Sequence, residues 1–438
     1  MTQPTEPAPD LAPESGEPPV RGRVDDATCL ACGLLCDDIT LTVRGDRIVE
    51  AERACPRGRA WFLDDHRHAD RPPATIDGRP ATLEQAIDRA AALLAASKAP
   101  MVGGLSGTTV EAQAVAVELA DRVGAVIDPA HSASARPRVE AIQRAGGAFA
   151  SFGEVKSRAD VIILWDLQPW IPGGRLWDRL IEPPGRFVPG GRSGRTVLVV
   201  DRGDSASRGR ADSAIAIPPE RHAEAFRALR AMVLGMPVDP ARVGRSCGVP
   251  AEELGDWAER LRGARYGVIA FAEGLGAGGL DAIEALMRLV DDLNRTTRCV
   301  ALPLAGPGNP AGAEAVLTGR LGAPLAVDLS DGAPRYRPLD AEGQARLDRG
   351  EVDVVLDLEG VGSPRSLSGS VPAIRISPGA TADPVPDGVS IACAMPGIDG
   401  GGTVVRSDEV SLPLRPALDP SRPIDRAVLS AILDRLET

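Results

Sequence analysis

Cys29-Leu30-Ala31-Cys32-Gly33-Leu34-Leu35-Cys36, with Ala54-Cys55-Pro56-Arg57-Gly58 a little further on, is the part of this sequence whose spacing points most directly to a cofactor and a fold. The four thiols follow C-x2-C-x3-C-x18-C. Thiolates two and three residues apart on a tight loop can converge on one inorganic centre, and four are what a [4Fe–4S] cube takes. Gly33 allows a sharp turn there, and Pro56 stiffens the chain after the last cysteine. A zinc knot would more usually pair C-x2-C with C-x2-C, which the x3 gap fits poorly. Inert buried thiols would not cluster this way when only seven cysteines are spread over 438 residues. The candidate metal ligands are therefore Cys29, Cys32, Cys36 and Cys55, with occupancy left open because ligand spacing is necessary but not sufficient.

Composition bounds the rest. A chain of 438 residues with 43% apolar and 25% charged residues is long enough for two or three domains with their own cores. The net charge of −12 and the lack of a basic cluster interleaved with aromatics exclude a nucleic-acid partner. No run of about 18 apolar residues occurs, so no membrane span is expected. Residues 1–23 read as a disordered tail rich in Pro and Glu, without the basic and apolar blocks of a secretory signal. An uneven cysteine count with a clustered quartet suits a reducing cytoplasm better than a disulfide framework.

Working outward from the cysteines, Asp38–Glu50 alternates apolar and polar residues around Gly45-Asp46, the signature of a β-hairpin. From Thr82 the period becomes helical, with Leu83, Ala86, Ile87, Ala90, Ala91 and Leu94 on one face. Short apolar runs then alternate with helical stretches. Runs at 125–128, 160–165, 196–201, 266–271, 298–302, 352–357 and 373–376 read as strands; the helices fall near 109–123, 220–234 and 280–293. This grammar predicts an α/β protein of parallel sheets flanked by helices. The loop Gly103-Gly104-Leu105-Ser106-Gly107 lies between a strand and a helix, but its spacing matches neither a dinucleotide nor a P-loop fingerprint, and a plain tight turn accounts for it as well.

Five blocks together resemble the B subunit of formylmethanofuran dehydrogenase, in the molybdopterin oxidoreductase superfamily. They are Cys29–Ile39, Gly104-Leu-Ser-Gly-Thr-Thr-Val-Glu-Ala-Gln113, Ser151–Trp165, Gly322–Tyr336 and Gly397-Ile-Asp-Gly-Gly-Gly-Thr403, spread from Thr28 to Leu412. The resemblance implies a cysteine region at 24–72, a discontinuous α/β domain at 73–127 and 305–438, and an α/β domain inserted at 128–304. It also implies a bis-pterin tungsten or molybdenum centre, held in the active enzymes by a cysteine just before the Glu-Ala-Gln of the second block. Here that position is Val110, which has no lone pair to offer, and Thr108 and Thr109 are poor ligands for a soft centre. A block that normally carries His-Pro-Arg reads Gln168-Pro-Trp-Ile-Pro-Gly-Gly-Arg175, and the later His-bearing block reads Pro303–Pro310 without a histidine. The expectation is a [4Fe–4S] site without the metal–pterin centre and without catalytic residues of its own.

The resemblance has a branch that keeps this scaffold without dehydrogenation, the formyltransferase/hydrolase complex of tetrahydromethanopterin- and methanofuran-linked formaldehyde oxidation. A cytoplasmic structural subunit of such a heteromeric complex is the first reading. An active dehydrogenase subunit with [4Fe–4S] and molybdenum or tungsten pterin is the alternative, and a cluster that persists alone is a third. His66, His68 and His222 read as solvated or capping, whereas His131 is kept as a candidate near the cofactor cavity. Asp37-Asp38 and Asp64-Asp65 read as solvated loops. Arg57 and Arg59 suit either a position between cluster and pterin or a solvent-facing turn. Trp165, Trp170 and Trp177 are candidates for side chains that fill the old pterin cavity.

Overall fold

The structure is a computed structural model that describes residues 20–64, 72–167, 174–203, 205–272, 275, 279–340, 342–361, 371–378, 385 and 387–437. His66, His68, Asp65 and Trp170, singled out above, lie outside the described residues.

The apolar runs become strands buried on both faces. Five of them, in spatial order Ser213–Ala216, Thr196–Asp201, Val161–Trp165, Gly267–Ala272 and Cys299–Leu304, form an all-parallel sheet. Val161–Trp165 and Gly267–Ala272 are buried at every position. Crossover helices cover both faces of a parallel sheet, which is why such strands are continuously apolar. One face packs on the helices His222–Val233, Ala251–Gly263 and Gly279–Leu293. Its opposite face supports the cysteine region: Cys29, Leu34, Cys36 and Ile39 share an apolar cluster with Ile162, Leu164, Leu302 and Leu304.

A second sheet has nine strands among the described residues. Its five central strands, Val126–Pro129, Pro100–Gly104, Val354–Leu358, Ala373–Pro378 and Val389–Cys393, run parallel. Antiparallel pairs close both edges, through Val327–Asp328 on one side and Ala74–Ile76 on the other. The sheet thus joins strands from before and after the stretch that builds the five-stranded sheet. Helices Leu83–Ala96, Val110–Val123, Pro310–Leu321 and Asp425–Glu437 contribute to its core, mostly through Ala, Val and Leu side chains. Leu83–Ala96 begins with a reciprocal cap between Thr82 and Gln85, worth about 1 kcal/mol.

The predicted hairpin forms from Ile39–Arg44 and Arg47–Glu52, with Gly45 at φ 60° in the tight turn. Together with Val20–Ala27 it makes a small antiparallel sheet that carries the cysteine loop, so residues 20–23, expected to belong to a disordered tail, are instead strand paired with residues 42–44. A further hairpin, Gly402–Val405 and Ser411–Leu414, packs Val404, Leu412 and Leu414 against Leu30 and Leu35 of that loop.

Two expectations need correction. His222 is not a solvated cap: it is fully buried, its Nε2 lies 3.1 Å from Ile217 O, and burial lowers its pKa. Trp165 stacks on Phe226 with ring centroids 3.8 Å apart, and Trp177 is buried among residues on the other face of the same sheet. The bulk of both tryptophans is used by the cores around the five-stranded sheet.

Candidate functional site

The cysteine loop leaves Val20–Ala27 and doubles back on itself, with the Cys29 N–H donating to Cys36 O at 2.8 Å and the Leu35 N–H to Cys32 O at 3.2 Å. Cys55 caps the helix Pro56–Leu63, its Sγ accepting from the Gly58 N–H at 3.5 Å. Cys29, Cys32, Cys36 and Cys55 all line one cavity of about 20 Å3, together with Arg57, Gly58 and Arg175. Gly58 keeps that space open, since a Cβ there would lie 3.1 Å from Cys29 Sγ and 3.8 Å from Cys55 Sγ. Gly33 serves a different purpose from the sharp turn expected of it. It does not adopt a left-handed φ. Instead a Cβ at Gly33 would sit 1.8 Å from Ala305 O, so the missing side chain lets the loop dock on the segment after the five-stranded sheet.

Burial pushes the Cys29 thiol well up and Cys32 up to about 11, and neighbouring cysteines add to both shifts. Thiols shifted as Cys29 and Cys32 are stay neutral unless a cationic centre draws off their protons. Among the described residues no three His, Cys, Asp or Glu side chains converge tightly enough to share one metal ion. A four-iron cube takes one thiolate at each of four separate corners, so its ligands stand further apart than those of a single ion. The donor set, all sulfur and without a competing carboxylate in the cavity lining, fits an iron–sulfur cluster.

Asp37 and Asp38 are not free in solvent. Asp38 pairs with Arg175, and Asp37 with Arg179. Arg179 Nε is also 3.8 Å from Asp38, and Arg406 Nη1 is 3.7 Å from Asp37. Burial works to raise the Asp38 pKa, but Arg175 and Arg179 together hold it below the usual range. Adjacent carboxylates on a loop gave no hint of partners some 140 positions away.

At the second candidate region, Val110 is the first residue of the helix Val110–Val123 and is partly buried. The groups around it are used by the chain itself. Thr109 caps the helix through the Ala112 N–H at 3.2 Å, and donates its own N–H to Asp425 at 3.2 Å. Glu111 accepts from the N–H and hydroxyl of Thr403 at 2.9 and 2.7 Å. Asn309 donates to Thr108 O at 2.9 Å and accepts from the Val405 N–H at 2.7 Å. The glycines allow backbone to touch backbone, because a Cβ on Gly107 would lie 2.3 Å from Gly360. This loop is a packed turn rather than a phosphate cradle. The residues present do not fit a tungsten or molybdenum ligand set, since position 110 offers only hydrocarbon.

His131 is held in a buried chain that sequence reading did not assemble. Its Nδ1 lies 2.7 Å from Ser106 Oγ and its Nε2 3.2 Å from Glu314 Oε1, which also takes Arg138 Nη2 at 2.5 Å. Burial alone would raise the Glu314 pKa, but Arg138 and His131 bring it to about 2. Arg138 and Glu314 line a cleft of about 720 Å3, whereas Ser106 and His131 do not. With Ser106 5% exposed, the series is a structural tie and no nucleophile presents itself to a substrate.

No protein-family model matches the chain. Among curated proteins, the B subunit of the tungsten-containing formylmethanofuran dehydrogenase 2 of Methanocaldococcus jannaschii is 32% identical over 431 residues, covering 94% of this chain and 98% of that protein. The chain belongs to the family of formylmethanofuran dehydrogenase B subunits. The B subunit of the formyltransferase/hydrolase complex Fhc of Methylorubrum extorquens is 30% identical over 67% of this chain and 76% of its own length. A chain in the crystal structure of that FhcABCD complex with methylofuran superposes with a TM-score of 0.72 at 27% identity, covering 83% of this chain and 98% of that one. Acetylene hydratase from Pelobacter acetylenicus shares the fold, with a TM-score of 0.65 at 10% identity over 94% of this chain and 69% of that one. Within this family, then, the chain combines four thiols that line one cavity with a hydrocarbon at position 110.

Proposed function

We propose that this chain is a structural, non-redox subunit of a formyltransferase/hydrolase assembly in tetrahydromethanopterin- and methanofuran-linked one-carbon (formaldehyde) oxidation. It acts in the cytoplasm beside the catalytic subunits that transfer and hydrolyse the formyl group. The reading rests on Val110. A valine cannot bind tungsten or molybdenum, and the neighbouring Thr109 and Glu111 are already engaged with Asp425 and Thr403. In this reading Cys29, Cys32, Cys36 and Cys55 hold a [4Fe–4S] cluster that braces the N-terminal region. No helix among the described residues is long and apolar enough to cross a membrane, which is compatible with a cytoplasmic assembly.

The alternative is a working dehydrogenase subunit. It draws support from the tungsten-containing relative, whose similarity spans 94% of the chain against 67% for the Fhc protein. Metal and pterin analysis of the co-purified assembly separates the two. The structural reading expects neither tungsten nor molybdenum; either metal with pterin at one per chain, together with formate-dependent dye reduction, would replace it with the dehydrogenase reading.

A further inference from the structure

Arg175 and Arg179 stand beside the last cysteine of the loop. They project from the short turn Gly174–Leu176 and from the π-helix Trp177–Ile181 that continues it. Such wide turns are rare and are often found at functional sites. Their side chains are only 12% and 19% exposed. Asp38 and Asp37, the two residues after Cys36, hold the Nη2 ends of Arg175 and Arg179. Both guanidinium groups also lie against the Cys36 thiol. Yet Arg175 Nε and Arg179 Nη1 remain buried with no hydrogen-bond acceptor.

Ion pairing with the aspartates does not account for those two N–H groups. A buried charged donor left unpaired is costly, and native proteins rarely keep one without a use. A neutral thiol is a weak acceptor. A thiolate bound to iron, or a cluster sulfide, carries negative charge and accepts strongly. Arg175 lines the same cavity as the four cysteines.

We propose that Arg175 and Arg179 are positioning residues that donate hydrogen bonds to sulfur at the Cys36 corner of an iron–sulfur cluster and hold its reduction potential up. This inference rests on the proposed cluster occupancy. Reduction adds one electron to the cluster, and nearby N–H donors and positive charge stabilise the more negative state. Asp37 and Asp38 act through the arginines, aiming them rather than touching the cluster.

The test is an EPR-monitored dithionite titration of the purified assembly, with iron and acid-labile sulfide measured on the same samples. Arg175→Gln and Arg179→Gln should each keep their iron and lower the reduced-to-oxidised ratio at fixed potential about tenfold, which is about 59 mV for a one-electron couple. The double variant should shift further. Cluster-loaded Gln variants with the wild-type titration curve would overturn the inference. Should the Gln variants lose iron, Arg175→Lys and Arg179→Lys keep the charge beside the aspartates but remove the planar fork. Their potential should still fall, and an unmoved one would count against the inference equally. Wild-type assembly without iron or sulfide would remove the cluster reading itself, an outcome distinct from a loaded cluster whose potential ignores both arginines.

Discussion

The cysteine loop and the Val110 loop are both glycine-bearing turns held by the same short segment, yet they differ in what they have left to offer. Gly33 of the first docks on Ala305 and Leu30 O accepts from the Gly308 N–H at 3.1 Å. In the second, Thr108 is bonded to Asn309 at 2.9 Å. Around the cysteines, four soft donors face one cavity and two arginine N–H groups remain unpaired. Around Val110, the neighbouring polar side chains bond to the chain's own groups, and the metal donor is absent. The first loop has soft donors facing a cavity, whereas the second offers, among the described residues, a single unpaired amide oxygen, that of Gln113, and no soft donor. Segment 305–309 thus braces both loops.

The contrast breaks most sharply at the thiols. Cys29→Ser or Cys55→Ser should lower iron well below the roughly four atoms per chain of the intact protein, since each removes one of four thiolate ligands. Iron unchanged in both variants would mean that the thiols do not converge on a cluster. Next is the Val110 side. Asn309→Ala strands the Val405 N–H in a buried position, while the Thr108 carbonyl keeps the Gln113 amide as a donor. With one buried group left unpaired, the loss is about 2 kcal/mol. A urea midpoint at the wild-type value would show that this knot does not hold the loop.

Much of the scaffold could be read from the chain, because parallel strands buried on both faces leave unbroken apolar runs such as Val161–Trp165. The helix expected near 109–123 forms at Val110–Val123, after the strand and glycine-bearing loop that pointed to it. Other elements gave weaker signals. Ser132–Ala145 carries Pro137 and several arginines, and the edge strands Ala74–Ile76 and Arg79–Ala81 are three residues each. At the site, spacing named the four cysteines, but not the partners brought in by tertiary structure. Arg175 and Arg179 meet Asp38 and Asp37 across more than 135 positions, and no local pattern marks such a pairing. His222 was misjudged because a histidine at a helix start looks polar in sequence, while the strand Val161–Trp165 buries it beneath Trp165.

Two buried carboxylates sharpen the comparison through pH, with opposite signs. Glu314 is depressed to about 2 from an ordinary 4.5, so its stabilisation is complete above pH 4.5 and lost as pH falls towards 2. Asp128 is raised by burial to about 6 from 3.8, so its contribution is complete below pH 3.8 and lost as pH rises through 6. Each shift is on the order of 3 kcal/mol. Glu314→Gln should therefore destabilise at pH 7 and lose that effect near pH 2, whereas Asp128→Asn should stabilise at pH 7 and be neutral near pH 4. Urea midpoints across this range read both, and parallel curves for variant and wild type would contradict the assignments.

The smallest expected effect is the most pointed. Val110→Cys restores the missing sulfur at the start of its helix, and if one side chain were all that separates this loop from a metal site, tungsten or molybdenum should return. The geometry argues otherwise. The Thr109 N–H is bonded to the buried carboxylate of Asp425, Glu111 is tied to Thr403, and the backbones at Gly107 and Gly360 are already in contact. A new thiol would add one soft donor beside Thr109 and Glu111, which are already bonded within the chain, and burial has already raised the pKa of Asp425 there. The expectation is tungsten and molybdenum at wild-type background by mass spectrometry, from cells grown with both metals, and iron unchanged. Either metal at one per chain would show that the two loops differ by a single residue rather than by the bonding of Thr109 and Glu111 around it.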